Sequence, residues 1–184
     1  PPVVHAASEA AQLLLDKGRD LGPDPGRHWY SHRHDVSYKL APVFIAGAFA
    51  DTMEVATTWD RLPHLYKSVQ TALAKNVAVM AHFSHAYPEG CSIYFSFAGK
   101  GSERVYDKTW RDALTAAREA GGTVTHHHGV GTLKAEEAAK EAGAAIEVWY
   151  EIKRKHDPHG IMNPGRPFPD TPPDLPQNCG VKEL

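Results

Sequence analysis

The chain has 184 residues, 42% of them hydrophobic, which is enough for one domain with a sizeable core and argues against wholesale disorder. Twenty Lys and Arg stand against twenty-two Asp and Glu, leaving no basic field for nucleic acid or an anionic membrane surface. The longest apolar run, "LAPVFIAGAFA" over residues 40–50, is too short to span a bilayer, and Cys91 and Cys179 alone make neither a disulfide framework nor a cysteine-rich zinc site.

Residues 6–17 read as a short helix closed by Gly18, and "GPDPGRHWYSHRHD" as a loop by its Pro, Gly and Asp content. The apolar run that follows holds Pro42 and Gly47 and is assigned to buried core in preference to an acyl-chain tunnel. From Asp51 the pattern becomes regular. "DTMEVAT" is a strand, and Leu62, Leu65, Val69 and Leu73 mark a helix, with Trp59, Asp60 and Arg61 anchoring its start. "NVAVMAHFSH" and "CSIYFSFAG" alternate at period two across the turn "AYPEG". A second helix carries Tyr106, Trp110, Ala113 and Ala117 on one stripe and stops at Gly121–Gly122. "TVTHHH" is the next expected strand. A helical tract over 135–155, broken near Gly143 and with Trp149 in its core stripe, leads into a proline-rich tail.

The order β-α-β-β-α-β predicts an α+β, ferredoxin-like antiparallel sheet with both helices on one face. We divide the chain into an N-terminal helix and loop segment (1–50), a main domain (51–166) and the tail (167–184). The opening "PPVV" lacks an initiator methionine, so the chain is read as part of something longer. A reducing, cytoplasmic compartment fits two cysteines and no visible signal peptide, and membrane association is left to the full-length protein.

Period two assigns the faces. Ile93, Phe95 and Phe97 point one way and Tyr94 the other. Val77, Val79, Ala81 and Phe83 share the apolar face, opposite Met80, His82 and Ser84. In "TVTHHH", Val124 marks the apolar side, so His127 joins the polar set. Tyr94, His82 and His127 thus converge on a face that the helices leave open.

Three readings of the triple histidine compete. They could be strand-end residues bonded to backbone or water. They could bind metal, but neighbouring histidines on a strand splay to opposite faces, "HxxH" at His82 and His85 does likewise, and no carboxylate stands at ligand spacing. They could serve acid–base catalysis, since imidazole titrates near neutral pH and a nearby tyrosine offers a second transferable proton. We adopt the third and assign no metal. Gly129 and Gly131 would let backbone N–H groups approach an anion, assisted by Lys134 and a helix starting near Leu133; a plain tight turn is the other reading.

"GGTVTHHHGVGTLK", "CSIYFSFA", "TMEVATTWDRL" and "DPHGIMNPGR" resemble the C-terminal part of FAD-linked oxidases of the vanillyl-alcohol oxidase type. Within that group they are most similar to the alkyldihydroxyacetonephosphate synthases and their bacterial relatives. The resemblance implies a cap domain whose FAD is held mainly by a separate domain of the same parent chain. It implies activity roles for Tyr94, as proton donor, and for His126, His127 and His128, which remove and return substrate protons. Asn163 and His82 are then placed with the cofactor, and Gly129, Gly131 and Lys134 with a phosphate-bearing, lipid-like substrate. The implied reaction exchanges the acyl group of acyl-dihydroxyacetone phosphate for a long-chain alcohol. One departure concerns the substrate: "VSYKLAPVF" offers Lys39 where the family commonly has an arginine suited to phosphate. The alternatives are a 2-hydroxy-acid oxidase or dehydrogenase of the glycolate oxidase or D-lactate dehydrogenase type, and a non-enzymatic binding module. A homodimer is compatible with each.

Overall fold

In a computed structural model, residues 2–170 are described, without the side chains of residues 2, 3 and 36–39. The tail from residue 171 onward, Cys179 included, lies outside the described residues. The chain forms two compact units that part between Pro42 and Val43.

The first unit holds α1 (Pro2–Leu15) and α2 (Asp24–His32), and α3 (Val36–Ile45) crosses the division. The segment expected to be a loop is therefore partly helical. Pro25 lies in the first turn of α2, where its missing N–H would have had no partner and its fixed φ suits a helix. No residue of α2 is buried. The apolar run meets the expectation only toward its end: Phe49 is buried in the core of the second unit, whereas Phe44 and Ile45 are exposed.

The second unit begins with β1 (Ala48–Thr58), followed by α4 (Leu62–Leu73), β2 (Ala78–Ala86), β3 (Gly90–Lys100) and α5 (Glu103–Glu119). Both helices appear where the apolar spacing places them. Leu65, Val69 and Leu73 of α4 are buried, as are Trp110, Ala113 and Ala117 of α5. The sheet is antiparallel with order β1-β3-β2, and Met53 pairs with Phe95 and Val55 with Ile93. These four side chains are fully buried with the α4 and α5 stripes in one core. Trp110 lies in this core, edge-on to Phe97. Trp59 pins the sheet instead: its Nε1–H donates to Tyr87 O and Pro88 O across the β2–β3 turn.

The fourth strand does not form. Among the described residues the sheet has three strands, and "TVTHHH" contributes one isolated bridge, Thr123 to Ala56 of β1. Side chains take the donors that a ladder would have used. Val124 N–H donates to Glu141 Oε2 and His126 N–H to Glu54 Oε2, at 2.8 and 3.0 Å. The ferredoxin-like expectation is thereby reduced to an α+β fold with a three-stranded sheet. After this loop come α6 (Ala135–Ala142) and α7 (Ala145–His156), divided at Gly143 as the sequence suggests. In α7 the Trp149 ring meets Tyr150 and Phe168 edge-on.

The two sheet faces should respond differently to truncation. Phe95→Ala empties a fully buried site and is expected to cost about 3–5 kcal/mol. Met80→Ala removes a side chain that is 74% exposed, with an expected change within about 0.5 kcal/mol. Thermal or denaturant unfolding of the two variants checks this; equal losses would contradict the assignment of faces.

Candidate functional site

The register that buries one face lays a polar row across the other. Glu54 of β1, Tyr94 of β3 and His82 of β2 are direct cross-strand partners. The loop after α5 then brings the triple histidine against this row. Tyr94 Oη lies 2.6 Å from His127 Nε2 and 3.4 Å from His128 Nε2. His126 Nδ1 and His127 Nδ1 are 2.8 Å apart, so one of them carries a proton and the other accepts it. The four residues the resemblance associates with activity, Tyr94, His126, His127 and His128, therefore form one contiguous group.

Two corrections concern the geometry of histidines. Residues 125–128 are not a strand, so His126 and His127 do not splay to opposite faces; their Nδ1 atoms face each other. In β2 a register irregularity between Ser84 and Ala86, with His85 at φ 40°, breaks the alternation. His85 is thereby turned toward the group, its ring 4.5 Å from His127 and 6.2 Å from Tyr94. His82 flanks Tyr94 at 6.1 Å. Strict period two put His85 on the side opposite His82, and the backbone irregularity at Ser84/Ala86 reverses that.

The residue that sequence reasoning missed is Glu54. It sits on the outer sheet face yet is 0% exposed, roofed by the histidine loop. Its Oε2 accepts the His126 N–H, and its Oε1 stands 3.5 Å from both His126 Nδ1 and His127 Nδ1. Among the described residues that Oε1 has no hydrogen-bond partner. Glu54, His126 and His127 thus bring three donor atoms of metal-ligating type within 4.8 Å of one another. The carboxylate thought to be missing from ligand spacing is present, so the strand-geometry objection to metal does not hold.

Lys134 is 6% exposed and donates from Nζ to the Glu54 carbonyl oxygen at 3.1 Å. Its cation faces inward, beneath the site. Burial pushes its ammonium below the ordinary value, and Glu54 and Asp51 oppose that. Gly129 and Gly131 both have positive φ, 78° and 59°, and no atom would meet a Cβ at either. The positive φ by itself favours glycine at both positions. α6 begins at Ala135 with Glu136 and Glu137 in its first turn. Asn163 is at φ 47° in a turn where Asp157 accepts the N–H groups of Ile161 and Met162. Beside the group, His126 borders an open cavity of ≈ 640 Å³ also lined by Thr57, Arg61, Tyr87 and Gly122.

Electrostatics separate the two partners of the 2.6 Å contact. Burial pushes the Tyr94 phenol above its ordinary value of 10.0, and the negative charge of Glu54 adds to this. Burial pushes His127 below 6.5, which Glu54 only partly offsets and the neighbouring histidines reinforce. At neutral pH the pair is a protonated phenol against a neutral imidazole, a donor and an acceptor held together.

Comparison with known proteins defines the class. The family described as FAD linked oxidases, C-terminal domain, matches residues 23–166, and the chain belongs to that family. An alkyldihydroxyacetonephosphate synthase of Trypanosoma brucei brucei is 26% identical over 164 residues, covering 83% of this chain and 27% of the relative. The enzyme of the same name from Dictyostelium discoideum is 28% identical over 177 residues, covering 90% and 29%. A solved alkyldihydroxyacetonephosphate synthase structure shares the fold at TM-score 0.51 and 23% identity, over 76% of this chain and 24% of that one. The chain thus spans less than a third of the length of these relatives. No helix among the described residues is long and apolar enough to cross a membrane.

The lowered His127 value has a sign that can be measured. An unfolded imidazole near 6.5 binds its proton before the folded one does, so the contribution to stability is fully present above 6.5 and lost as pH falls through the folded value. Thermal unfolding of the wild type and His127→Gln across this range should show a pH dependence in the wild type that the variant lacks. Stability that rises on acidification through the same range, and does so only when His127 is present, would contradict the direction.

Proposed function

We propose that this chain is the substrate-facing cap of an FAD-dependent enzyme, and that its open sheet face is the reacting surface. The observation that carries the reading is the 2.6 Å contact between Tyr94 Oη and His127 Nε2 on that face. The phenol presents a proton and the neutral imidazole presents a lone pair, the two functions needed to move a substrate proton and return it. His128 Nε2, 3.4 Å from the same hydroxyl, is a second ring nitrogen within reach of it. Neither Tyr94 nor His127 belongs to the buried core, so both can serve chemistry without supporting the fold.

What these residues offer a flavin fits one side of it. Imidazole and phenol rings lie across the outer face of the sheet and can meet the edge and plane of a fused ring. His82 extends that surface on β2. The Gly129–Gly131 loop follows no strand, so it lacks the strand-to-helix setting that cradles a pyrophosphate. FAD would therefore be held mainly by other parts of the parent chain, and when bound it supplies an electron-accepting ring beyond the reach of side-chain chemistry. Asn163 could add a contact only if its turn meets that part of the parent.

The names of the two relatives favour a phosphate-bearing dihydroxyacetone unit as substrate, with acyl exchanged for alkyl. The cavity beside His126 is a suitable entrance, with Arg61 on its wall. A 2-hydroxy acid is the alternative substrate class, because the same acid–base pair would serve removal of its hydroxyl proton.

Two measurements test this reading. In the full-length parent, Tyr94→Phe and His127→Ala should each lower turnover on the order of 10²- to 10⁴-fold while the protein stays folded at the assay temperature. Near wild-type turnover in both, or loss by melting alone, returns the histidines to a structural role. The isolated chain, purified and mixed with equimolar FAD, should fail to retain the flavin through gel filtration. Stoichiometric retention would overturn the assignment of FAD to the rest of the parent.

A further inference from the structure

We propose that Glu54 is the positioning residue of the site: it selects the tautomer of His127 that lets Tyr94 give up its proton, and it stabilises the imidazolium that results. The inference rests on the acid–base role proposed for Tyr94 and His127 and adds the group that controls them.

The geometry leaves His127 with two different ends. Its Nε2 faces the Tyr94 hydroxyl at 2.6 Å, and its Nδ1 faces His126 Nδ1 at 2.8 Å and Glu54 Oε1 at 3.5 Å. A neutral imidazole has one N–H and one lone pair. The Nδ1 side is bordered by the Glu54 carboxylate oxygen, an acceptor that stands the same 3.5 Å from His126 Nδ1, and by that ring nitrogen, which can give or take the shared proton. A proton there has partners, whereas a lone pair would face negative charge. The carboxylate holds the shared proton on the Nδ1 side of the pair, and the Tyr94 O–H, which needs a lone pair at His127 Nε2, places that proton on His127.

Burial supplies the second part of the argument. Glu54 is 0% exposed, and its Oε1 has no hydrogen-bond partner among the described residues. Leaving a buried carboxylate oxygen unmatched is costly, and that cost falls when a positively charged N–H appears beside it. Such a charge appears when the Tyr94 proton passes to His127 Nε2. The proton then resides on the ring, the phenolate oxygen accepts one from substrate, and the return step restores both groups. No atom is consumed, and Glu54 itself neither gives up nor takes a proton in the cycle. It is held for this task by its other oxygen on the His126 N–H and by Lys134 on its own carbonyl.

The test is nitrogen-resolved NMR of the histidine rings in this chain, wild type against Glu54→Gln and Glu54→Asp. In the wild type, His127 should carry its proton on Nδ1 at neutral pH. Glu54→Gln should lower the His127 titration midpoint by about one pH unit or more and mix its tautomers, and Glu54→Asp should restore both in part. A wild-type His127 protonated on Nε2 overturns the proposal whether or not the variants fold. So does a Glu54→Gln chain that folds and titrates as the wild type does. Stoichiometric Zn²⁺ binding that requires Glu54 would also overturn it, since the carboxylate would then be a ligand. Failure of the wider reading looks different: Tyr94→Phe would leave turnover intact while the Nδ1–H pattern of His127 persisted.

Discussion

The site depends on a carboxylate buried where a sheet normally meets solvent. Glu54 occupies the outward side of β1, and its side chain reaches water nowhere. Ionised groups enter such surroundings only with compensation, and here it comes from the loop that covers it. The His126 N–H, the two imidazole Nδ1 atoms and the Lys134 ammonium on the backbone of the same residue all arrive from one connection between α5 and α6. That connection has given up strand pairing beyond Thr123. Its backbone donors at Val124 and His126 go to Glu141 and Glu54 instead, and the loop closes over the sheet as a roof.

The same choice explains how adjacent histidines can act together. On a strand, the ring of each would oppose its neighbour across the sheet. Released from that constraint, His126 and His127 meet through their Nδ1 atoms, and His127 and His128 both reach Tyr94. A second local irregularity, the turn of His85 at positive φ, adds a further ring to the cluster. The core beneath stays regular: Met53, Val55, Ile93 and Phe95 keep strict alternation and close packing. Regular packing thus lies below the sheet and irregular backbone above it, at the face proposed to react.

That division also marks what was legible in the sequence. Repeating patterns were readable, because α4, α5, β1 and β3 bury apolar residues at the spacings their periods dictate. Tyr94 was placed on the open face by alternation alone, and the break at Gly143 by composition. Glu54 was not readable, since alternation puts it outward and nothing in "TMEVAT" announces a roof 72 residues later. The loss of the fourth strand turned on two side-chain acceptors, Glu54 and Glu141, supplied from distant positions. α2 was missed because proline and glycine content outweighed the tolerance of a first helical turn for proline.

The central claim is that the face carrying Tyr94 and His127 is the one at which the parent enzyme reacts. A structure of the full-length, FAD-bound parent with a substrate analogue tests it most directly. The geometry predicts a flavin ring over this face, with the reacting group of the analogue within hydrogen-bond reach of Tyr94 Oη or His127 Nε2. A flavin seated elsewhere, with Tyr94 and His127 facing only protein or bulk water, would contradict it.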